Sequence, residues 1–201
     1  MEIILKKDRT NYFKSHIKKL KTGRGVVLQA GDGKSSKEIL SCWPGTLFLV
    51  DSWSDSEGSE TGISGVSKET ILIQALDRIK FYGDRAILTR ASTEKAGDLF
   101  GLSSLDFVFL QDITTYEDVK LIIKNWLPKI KPGGTLGGYG FLNSTLENSG
   151  KENGNNQMIW DEDGVFLGHF GVNRAVRETV GLRFNINITS EEVGSWFVNP
   201  E

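Results

Sequence analysis

Residues 26–36 read Val-Val-Leu-Gln-Ala-Gly-Asp-Gly-Lys-Ser-Ser, and this stretch decides the fold of the chain. The apolar run at its start predicts a short buried strand, because two of the three residues are β-branched. Gly31 and Gly33 then allow backbone angles that are closed to other residues, and helix formers follow from Ser36 through Leu40. A strand, a tight glycine turn and a helix N-terminus with unpaired N–H groups suit an anionic or nucleotide-like ligand.

Three interpretations of this glycine turn remain open from the residues alone. The first is a nucleotide-type pocket that lacks a phosphate cradle. The second is a P-loop, since Gly33-Lys34-Ser35 matches the end of the Walker A motif, but that motif needs a glycine where this chain has Leu28. The third is a plain strand-to-helix turn that needs glycine only for its geometry.

The composition predicts one domain over residues 1–201, with residues 1–24 forming an N-terminal cap helix region. The formal net charge of −2 gives no global reason to expect a nucleic acid partner. A single cysteine, Cys42, excludes an internal disulfide framework and fits a reducing cytoplasm. We expect no membrane span, because no apolar run is long enough, and the first residues do not resemble a signal peptide.

The N-terminal region combines an apolar face with the most basic stretch of the chain. Residues 8–21 predict a helix that places Phe13, Ile17 and Leu20 on one face and lysines on the others. The lysines form either a patch for an anionic partner or a solvated face, and the acidic remainder of the chain favours the solvated face. The apolar face leaves association with a second copy as an alternative, and we expect His16 to lie at the surface.

Strands and helices alternate through the first two-thirds of the chain, which is typical of a parallel sheet with helices on both faces. We therefore predict an α/β fold with a Rossmann-like, seven-stranded, mostly parallel sheet whose last strand is antiparallel. In such sheets, ligands bind at the carboxyl ends of the strands. The predicted strands cover 26–30, 46–50, 86–89, 105–110, 135–141, 182–188 and 194–198, the helices lie near 35–42, 66–81, 94–100, 115–127 and 170–179, and long polar loops cover 52–65 and 142–164.

Five short segments follow one another along the chain and together span nearly its whole length. They are Gln-Ala-Gly-Asp-Gly at 29–33, Leu-Val-Asp-Ser-Trp at 49–53, Leu-Asp-Phe-Val-Phe-Leu at 105–110 followed by Tyr116, Glu117 and Trp126, Ile-Lys-Pro-Gly-Gly at 130–134, and Gly-Val-Asn-Arg-Ala-Val at 171–176. In this order they resemble the landmarks of class I S-adenosylmethionine-dependent methyltransferases. The resemblance is greatest to the small O-methyltransferase-like group that includes sugar and macrolide methyltransferases.

The resemblance implies an enzyme that transfers a methyl group from S-adenosylmethionine to a hydroxyl of a small molecule. It implies that Gly31 and Gly33 let the methionine part of the cofactor lie against the backbone, and that Asp51 accepts hydrogen bonds from the ribose hydroxyls. A helix cap or a surface acid is the alternative for Asp51. The resemblance places Ser92 and Thr93 at the adenine, and a helix N-cap is the alternative for these two residues. The cofactor-binding residues implied in this way are Gln29, Ala30, Gly31, Gly33, Ser35, Asp51, Ser52, Ser92, Thr93 and Gln111.

Two departures from the family pattern concern a divalent metal. Family members that bind a divalent metal have acids and a histidine after the fourth strand, where this chain has Gln111, Ile113 and Thr114. They have a second pair of such residues at the position where this chain has Tyr139-Gly140. Magnesium needs several hard oxygen ligands in near-octahedral geometry, which Asp112 alone cannot supply. We therefore predict a metal-independent enzyme.

A third departure is Gln29, which stands where the family usually has an acid. The side chain keeps a hydrogen-bonding carbonyl but loses the charge that would meet the ammonium of the cofactor. Together with the altered metal positions, this leaves a second hypothesis, in which the chain is a non-catalytic cofactor-binding or structural protein of the same fold.

Methyl transfer to a hydroxyl benefits from a base that removes its proton. The candidates are His169, whose residue type suits base chemistry near neutral pH, and Asp112. The alternative for His169 is an ordinary loop histidine, and the alternative for Asp112 is a helix cap. Trp53 and Trp160 lie in the two long loops and either close over a substrate or anchor the loops, and Tyr139 either orients an acceptor or packs in the sheet.

Overall fold

A computed structural model describes residues 3–5, 8–15, 17–20, 22–54, 66–113, 115–142, 158–160, 166–190 and 193–200. For some of these residues, including 158–160 and 166–170, only the backbone is described. Most of the predicted 52–65 and 142–164 loops therefore lies outside the described residues.

The described strands are β1 (Ile3–Leu5), β2 (Arg24–Leu28), β3 (Thr46–Asp51), β4 (Ala86–Arg90), β5 (Leu105–Leu110), β6 (Ile130–Leu142), β7 (Met158–Trp160), β8 (Phe166–His169), β9 (Ile186–Ile188) and β10 (Val193–Val198). Eight of these described strands form the main sheet, in the order β1-β9-β10-β6-β5-β2-β3-β4. Strands β2 to β6 run parallel to their neighbours within that group, whereas β10 is antiparallel to both β6 and β9. The prediction of a mostly parallel sheet with an antiparallel last strand is thus confirmed, and β1 extends it at one edge.

Three of the described helices that connect the parallel strands begin at hydroxyl caps, whereas the helix Lys34–Cys42 begins after Gly33 without a side-chain cap. The side chains of Ser67, Ser92 and Thr115 each accept a hydrogen bond from a backbone N–H three residues further on, which satisfies a donor that the first turn leaves unpaired. The helices are α1 (Arg9–Ser15), α2 (Lys34–Cys42), α3 (Lys68–Ile79), α4 (Thr93–Gly97), α5 (Tyr116–Trp126) and α6 (Phe170–Thr179), with 3₁₀ turns at Ile17–Leu20, Lys80–Arg85 and Leu127–Lys129. None of the helices described is both long and apolar enough to span a bilayer.

Two apolar cores lie on opposite faces of the sheet, because alternate residues of each buried strand point to opposite sides. Val26 and Leu28 of β2 belong to the core under α4, α5 and α6, whereas Val27 belongs to the core under α1, α2 and α3. Trp126, the last residue of α5, is fully buried in the first core. The prediction of helices on both faces is therefore confirmed.

The N-terminal segment differs from the single helix predicted over 8–21. Helix α1 ends at Ser15, and a separate 3₁₀ turn follows. Tyr12 stacks on Phe197 of β10 with ring centroids 3.8 Å apart, and Ile17 is buried in the second core. Ile17 is thus covered by its own chain and does not offer a face to a second copy. The side chain of Phe13 and the whole of His16 lie outside the described residues.

Two other predictions about local structure are wrong. Pro132-Gly133-Gly134, which precedes the strand predicted over 135–141, lies within β6, where Gly133 has a φ of 74° and the pairing with β5 shifts register. Strand β6 advances five residues from Ile130 to Thr135 while β5 advances two from Leu105 to Phe107, so this bulge-like irregularity leaves three residues of β6 over. Strand β7 lies within the predicted 142–164 loop and pairs with β8, a contact between segments that the polar composition of this region does not indicate.

Candidate active site

A cleft with a volume of about 740 Å³ opens at the carboxyl ends of β2, β3, β4 and β5. Strand β2 lies between β3 and β5, so the cleft sits where the order of the sheet changes direction, as expected for a ligand site in this class of fold. Its size falls within the range of small-molecule sites. The described residues that line it are Gln29, Ala30, Gly31, Asp32, Ser35, Asp51, Ser52, Trp53, Ser54, Val66, Lys68, Ile71, Gln74, Ala91, Ser92, Thr93, Gln111 and Asp112.

The two glycines of the turn after β2 serve different purposes. Gly31 has a φ of 52°, and a Cβ added to it would find its nearest neighbours 3.8 Å and 3.9 Å away, so its surface is open to the cleft. Gly33 has a φ of 80°, and a Cβ there would lie 3.1 Å from the Cα of Ala75 in α3. Gly33 therefore lets α2 and α3 pack closely, and it is the one predicted cofactor-binding residue that does not line the cleft.

Asp51 ends β3 and holds the glycine turn in place. Its Oδ2 accepts a hydrogen bond from the backbone N–H of Gly31 at 3.0 Å, and its Oδ1 accepts one from the N–H of Trp53 at 2.9 Å. An ionised carboxylate has about four acceptor positions, so each oxygen keeps one for a ligand. Asp51 is thus neither a helix cap nor a surface acid, the two alternatives considered from the sequence.

Trp53 anchors the same turn from below. The residue is 1% exposed, and its indole Nε1 donates to the carbonyl oxygen of Gly31 at 3.0 Å. Arg90 of β4 donates to the carbonyls of Ser52 at 3.2 Å and Trp53 at 2.9 Å. Trp53 is therefore a packing anchor at the cleft floor and not a residue that closes over a substrate. The side chain of Trp160 lies outside the described residues.

Replacement of Trp53 by Phe should destabilise the chain and weaken ligand binding in the cleft. The change leaves the Gly31 carbonyl without its donor, which costs about 1 kcal/mol or more. Trp43→Phe is the matched control, because Trp43 is equally buried and its indole nitrogen has no hydrogen-bond partner in the described part of the chain. Thermal unfolding of both variants checks this, and a smaller loss in Trp53→Phe than in Trp43→Phe would contradict it.

Asp112 follows β5 and keeps an accessible surface within the cleft. Partial loss of its hydration raises the pKa of this carboxyl, and the negative charges of Asp51 and Asp32 raise it further. Lys68 acts in the opposite direction by favouring the charged form. Thr115, and not Asp112, caps α5, so the helix-cap alternative for Asp112 is wrong.

Asp112→Asn should make the protein more stable at neutral pH. Because the pKa of Asp112 is raised on folding, the stability that this group contributes is present below its pKa in the unfolded chain and is lost as the pH rises through its folded pKa. Because asparagine does not ionise, the variant does not lose this stability as the pH rises. Melting temperatures across a pH series should show an advantage for the variant that shrinks on acidification, and an advantage that stays constant with pH would exclude this cause.

The remaining predicted residues divide into those at the cleft and those elsewhere. Ser92 lines the cleft while its Oγ caps α4 by accepting from the N–H of Lys95 at 3.3 Å, so the N-cap alternative describes its side chain. The Oε1 of Gln111 is buried and has no hydrogen-bond partner in the described part of the chain. Tyr139 packs against the second core and is not among the described lining residues. The backbone of His169 ends β8, but its side chain lies outside the described residues.

Sequence reasoning missed the contribution of α3 to the cleft. Three residues in the first two turns of this helix line the cleft, namely Lys68, Ile71 and Gln74. The sequence predicted a helix near 66–81 without indicating that it contributes to a site. A lysine at the first position of a helix was the available signal, because the helix dipole disfavours a positive charge there. Asp32 also lines the cleft, and its carboxylate pairs with Arg78 of α3 at 2.9 Å.

The P-loop interpretation receives no support from this geometry. Leu28, at the position where Walker A needs glycine, is fully buried in β2. Lys34 is exposed and does not belong to the described lining of the cleft. Over the described ranges, no group of three or more histidine, cysteine, aspartate or glutamate residues is placed to hold a metal ion.

Comparison with known proteins gives matches among solved structures only. No protein-family model matches the chain, and no curated protein does. An O-methyltransferase family protein from Burkholderia thailandensis is 14% identical with a TM-score of 0.62, and the alignment covers 96% of this chain and 55% of that one.

Two further structures match over most of both chains. An S-adenosylmethionine-dependent methyltransferase from Methanosarcina mazei is 17% identical with a TM-score of 0.56, over 90% of this chain and 93% of that one. The 1,6-didemethyltoxoflavin N1-methyltransferase of Burkholderia thailandensis, with 1,6-didemethyltoxoflavin and S-adenosylhomocysteine bound, is 10% identical with a TM-score of 0.53, over 95% of this chain and 76% of that one. The chain therefore has the fold that these methyltransferases share.

Proposed function

We propose that the chain is an S-adenosylmethionine-dependent methyltransferase that binds its cofactor in the cleft beside β2. The observation that carries the proposal is the carboxylate of Asp51, which faces the cleft with free acceptor positions beside the open surface of Gly31. All the residues that the sequence resemblance implies for the cofactor line this cleft, except Gly33. A structure of the same fold has S-adenosylhomocysteine bound.

The charges of the cleft support a cationic ligand. Asp32 is paired with Arg78, which leaves the carboxylates of Asp51 and Asp112 against the single ammonium of Lys68 among the described lining residues. S-adenosylmethionine carries a sulfonium, an ammonium and a carboxylate, and so has a net positive charge. The unpartnered Oε1 of Gln111 adds a buried acceptor that a ligand donor would satisfy.

The chain's own residues would bind the cofactor and receive the proton of the acceptor. Asp51 would hold the ribose hydroxyls, and the Gly31 surface would lie against the methionine part. The bound cofactor supplies an electrophilic methyl group, and in-line positioning of the acceptor provides most of the rate. Asp112 is the candidate base within the cleft, since a raised pKa makes a carboxylate better suited to take a proton. His169 is a second candidate base, on its residue type alone.

A small-molecule hydroxyl is the proposed acceptor, and metal-independent transfer in the cytoplasm is part of the same proposal. The resemblance in sequence favours a hydroxyl, whereas one matching structure is named as an N1-methyltransferase. The fold serves both chemistries, so the acceptor has to be found by experiment. A non-catalytic cofactor-binding protein is the second candidate, favoured by Gln29, which replaces a charge that the family usually keeps.

Methyl transfer from isotope-labelled S-adenosylmethionine to a panel of hydroxyl and amine acceptors, with a chelator present, tests this function. We expect labelled product from a hydroxyl acceptor in the presence of the chelator. Binding of S-adenosylhomocysteine without turnover on any acceptor would favour the non-catalytic candidate. Transfer that stops when the chelator is added would contradict metal independence.

A further inference from the structure

Lys68 occupies a position that does not favour a lysine. It is the first residue of the twelve-residue helix α3, where the helix dipole opposes a positive charge. Its neighbour Glu69 interacts with Arg90 at 3.8 Å and not with Lys68. Within the described part of the chain, the ammonium of Lys68 forms no hydrogen bond or ion pair, yet the residue lines the cleft. A ligand with an anionic group would provide the missing partner.

Asp112 presents the opposite charge in the same cleft. Its Oδ2 lies 3.8 Å from the position that a Cβ of Gly31 would occupy, so its carboxylate borders the Gly31 surface. Asp112 interacts electrostatically with Lys68, but the two side chains do not form an ion pair. The described side chains thus leave a negative group and a positive group in one cleft, each without a bonded partner.

An α-amino acid group has the complementary pair of charges. We propose that Asp112 and Lys68 together bind the amino-acid end of the cofactor, with Asp112 facing the ammonium and Lys68 facing the carboxylate. This assignment rests on the proposed function, and it makes Asp112 a contact of the ammonium instead of the base, which leaves His169 as the candidate base. It also accounts for Gln29, because the carboxylate missing from the end of β2 is supplied from the end of β5.

Three ligands distinguish the contribution of Asp112 to binding from that of Lys68. S-adenosylhomocysteine carries both the ammonium and the carboxylate, and 5′-methylthioadenosine carries the same nucleoside and sulfur with neither. Decarboxylated S-adenosylmethionine keeps the ammonium and lacks the carboxylate. Calorimetric titration of each ligand into the wild type, Lys68→Met and Asp112→Asn measures every combination.

Both variants should bind S-adenosylhomocysteine about tenfold or more weakly than the wild type, since each loses a hydrogen bond to a charged group. Both should keep wild-type affinity for 5′-methylthioadenosine, which also shows that the cleft is folded. Decarboxylated S-adenosylmethionine should be weakened by Asp112→Asn and not by Lys68→Met. Lys34→Met is the matched control, because Lys34 also begins a helix but is exposed and outside the described cleft lining.

Wild-type affinity of Lys68→Met for S-adenosylhomocysteine would overturn the assignment, and would point to an anionic acceptor as the partner of Lys68. Equal weakening of 5′-methylthioadenosine would also overturn it, since that ligand has no amino-acid group. A wild-type protein that binds none of the three nucleosides would remove the proposed function and this assignment together. If the wild type binds and both variants bind S-adenosylhomocysteine with the same affinity, the assignment of Asp112 and Lys68 is wrong but the proposed function stands.

Discussion

Asp51→Asn should weaken binding of S-adenosylmethionine by roughly 100-fold or more. A hydrogen bond to a charged group contributes about 1.5–3 kcal/mol, and the carboxylate would accept two from the ribose. Asparagine has the same shape but offers one oxygen, so it also loses an acceptor for the backbone N–H of either Gly31 or Trp53. Calorimetric titration of the purified variant measures the loss.

The control for this variant is Asp84→Asn. Asp84 lies in the 3₁₀ turn at Lys80–Arg85, is exposed, and is not among the described residues of the cleft. It should bind the cofactor as the wild type does. A folded Asp51→Asn variant with affinity close to that of the control would show that the acid does not contact the ligand.

Gly33→Ala should lower the free energy of unfolding by about 2–5 kcal/mol. The left-handed backbone at Gly33 costs a residue with a Cβ about 1–2 kcal/mol, and overpacking against Ala75 adds about 1–3 kcal/mol. For a chain of this size the melting temperature should fall by roughly 5–15 °C. Differential scanning calorimetry measures both quantities.

Gly133→Ala separates the two contributions. Gly133 has a similar φ of 74°, but a Cβ there would find nothing within 4 Å, so only the backbone cost applies. We expect a smaller destabilisation than for Gly33→Ala. An equal decrease in the free energy of unfolding of the two variants would indicate that the close approach of α2 to α3 does not contribute to stability.

The strands that could be predicted are those whose side chains are buried on both faces. Residues 105–110 are apolar at all but one position, and β5 has those bounds. Strand β1 could not be predicted, because three residues carry too little pattern and depend on pairing with β9, far along the chain. The break after Ser15 could not be predicted for the same reason, since the stacking of Tyr12 on Phe197 joins residues that are far apart along the chain.

The candidate site could be predicted where its residues follow strand ends. Gly31, Asp51 and Asp112 come directly after β2, at the end of β3 and after β5, so a parallel sheet places them at one edge. Lys68 could not be found this way, because its place depends on how α3 crosses the sheet. The role of Trp53 was equally hidden, since it depends on one hydrogen bond to the Gly31 carbonyl.

Titration of S-adenosylmethionine into the wild-type chain tests the central claim most directly. If the edge of the sheet beside Gly31 and Asp51 is a site for an adenosine-bearing cation, the calorimeter should record saturable heat with one molecule bound per chain. The absence of binding heat at millimolar cofactor, with protein whose folded state is confirmed by a cooperative melt, would contradict the account.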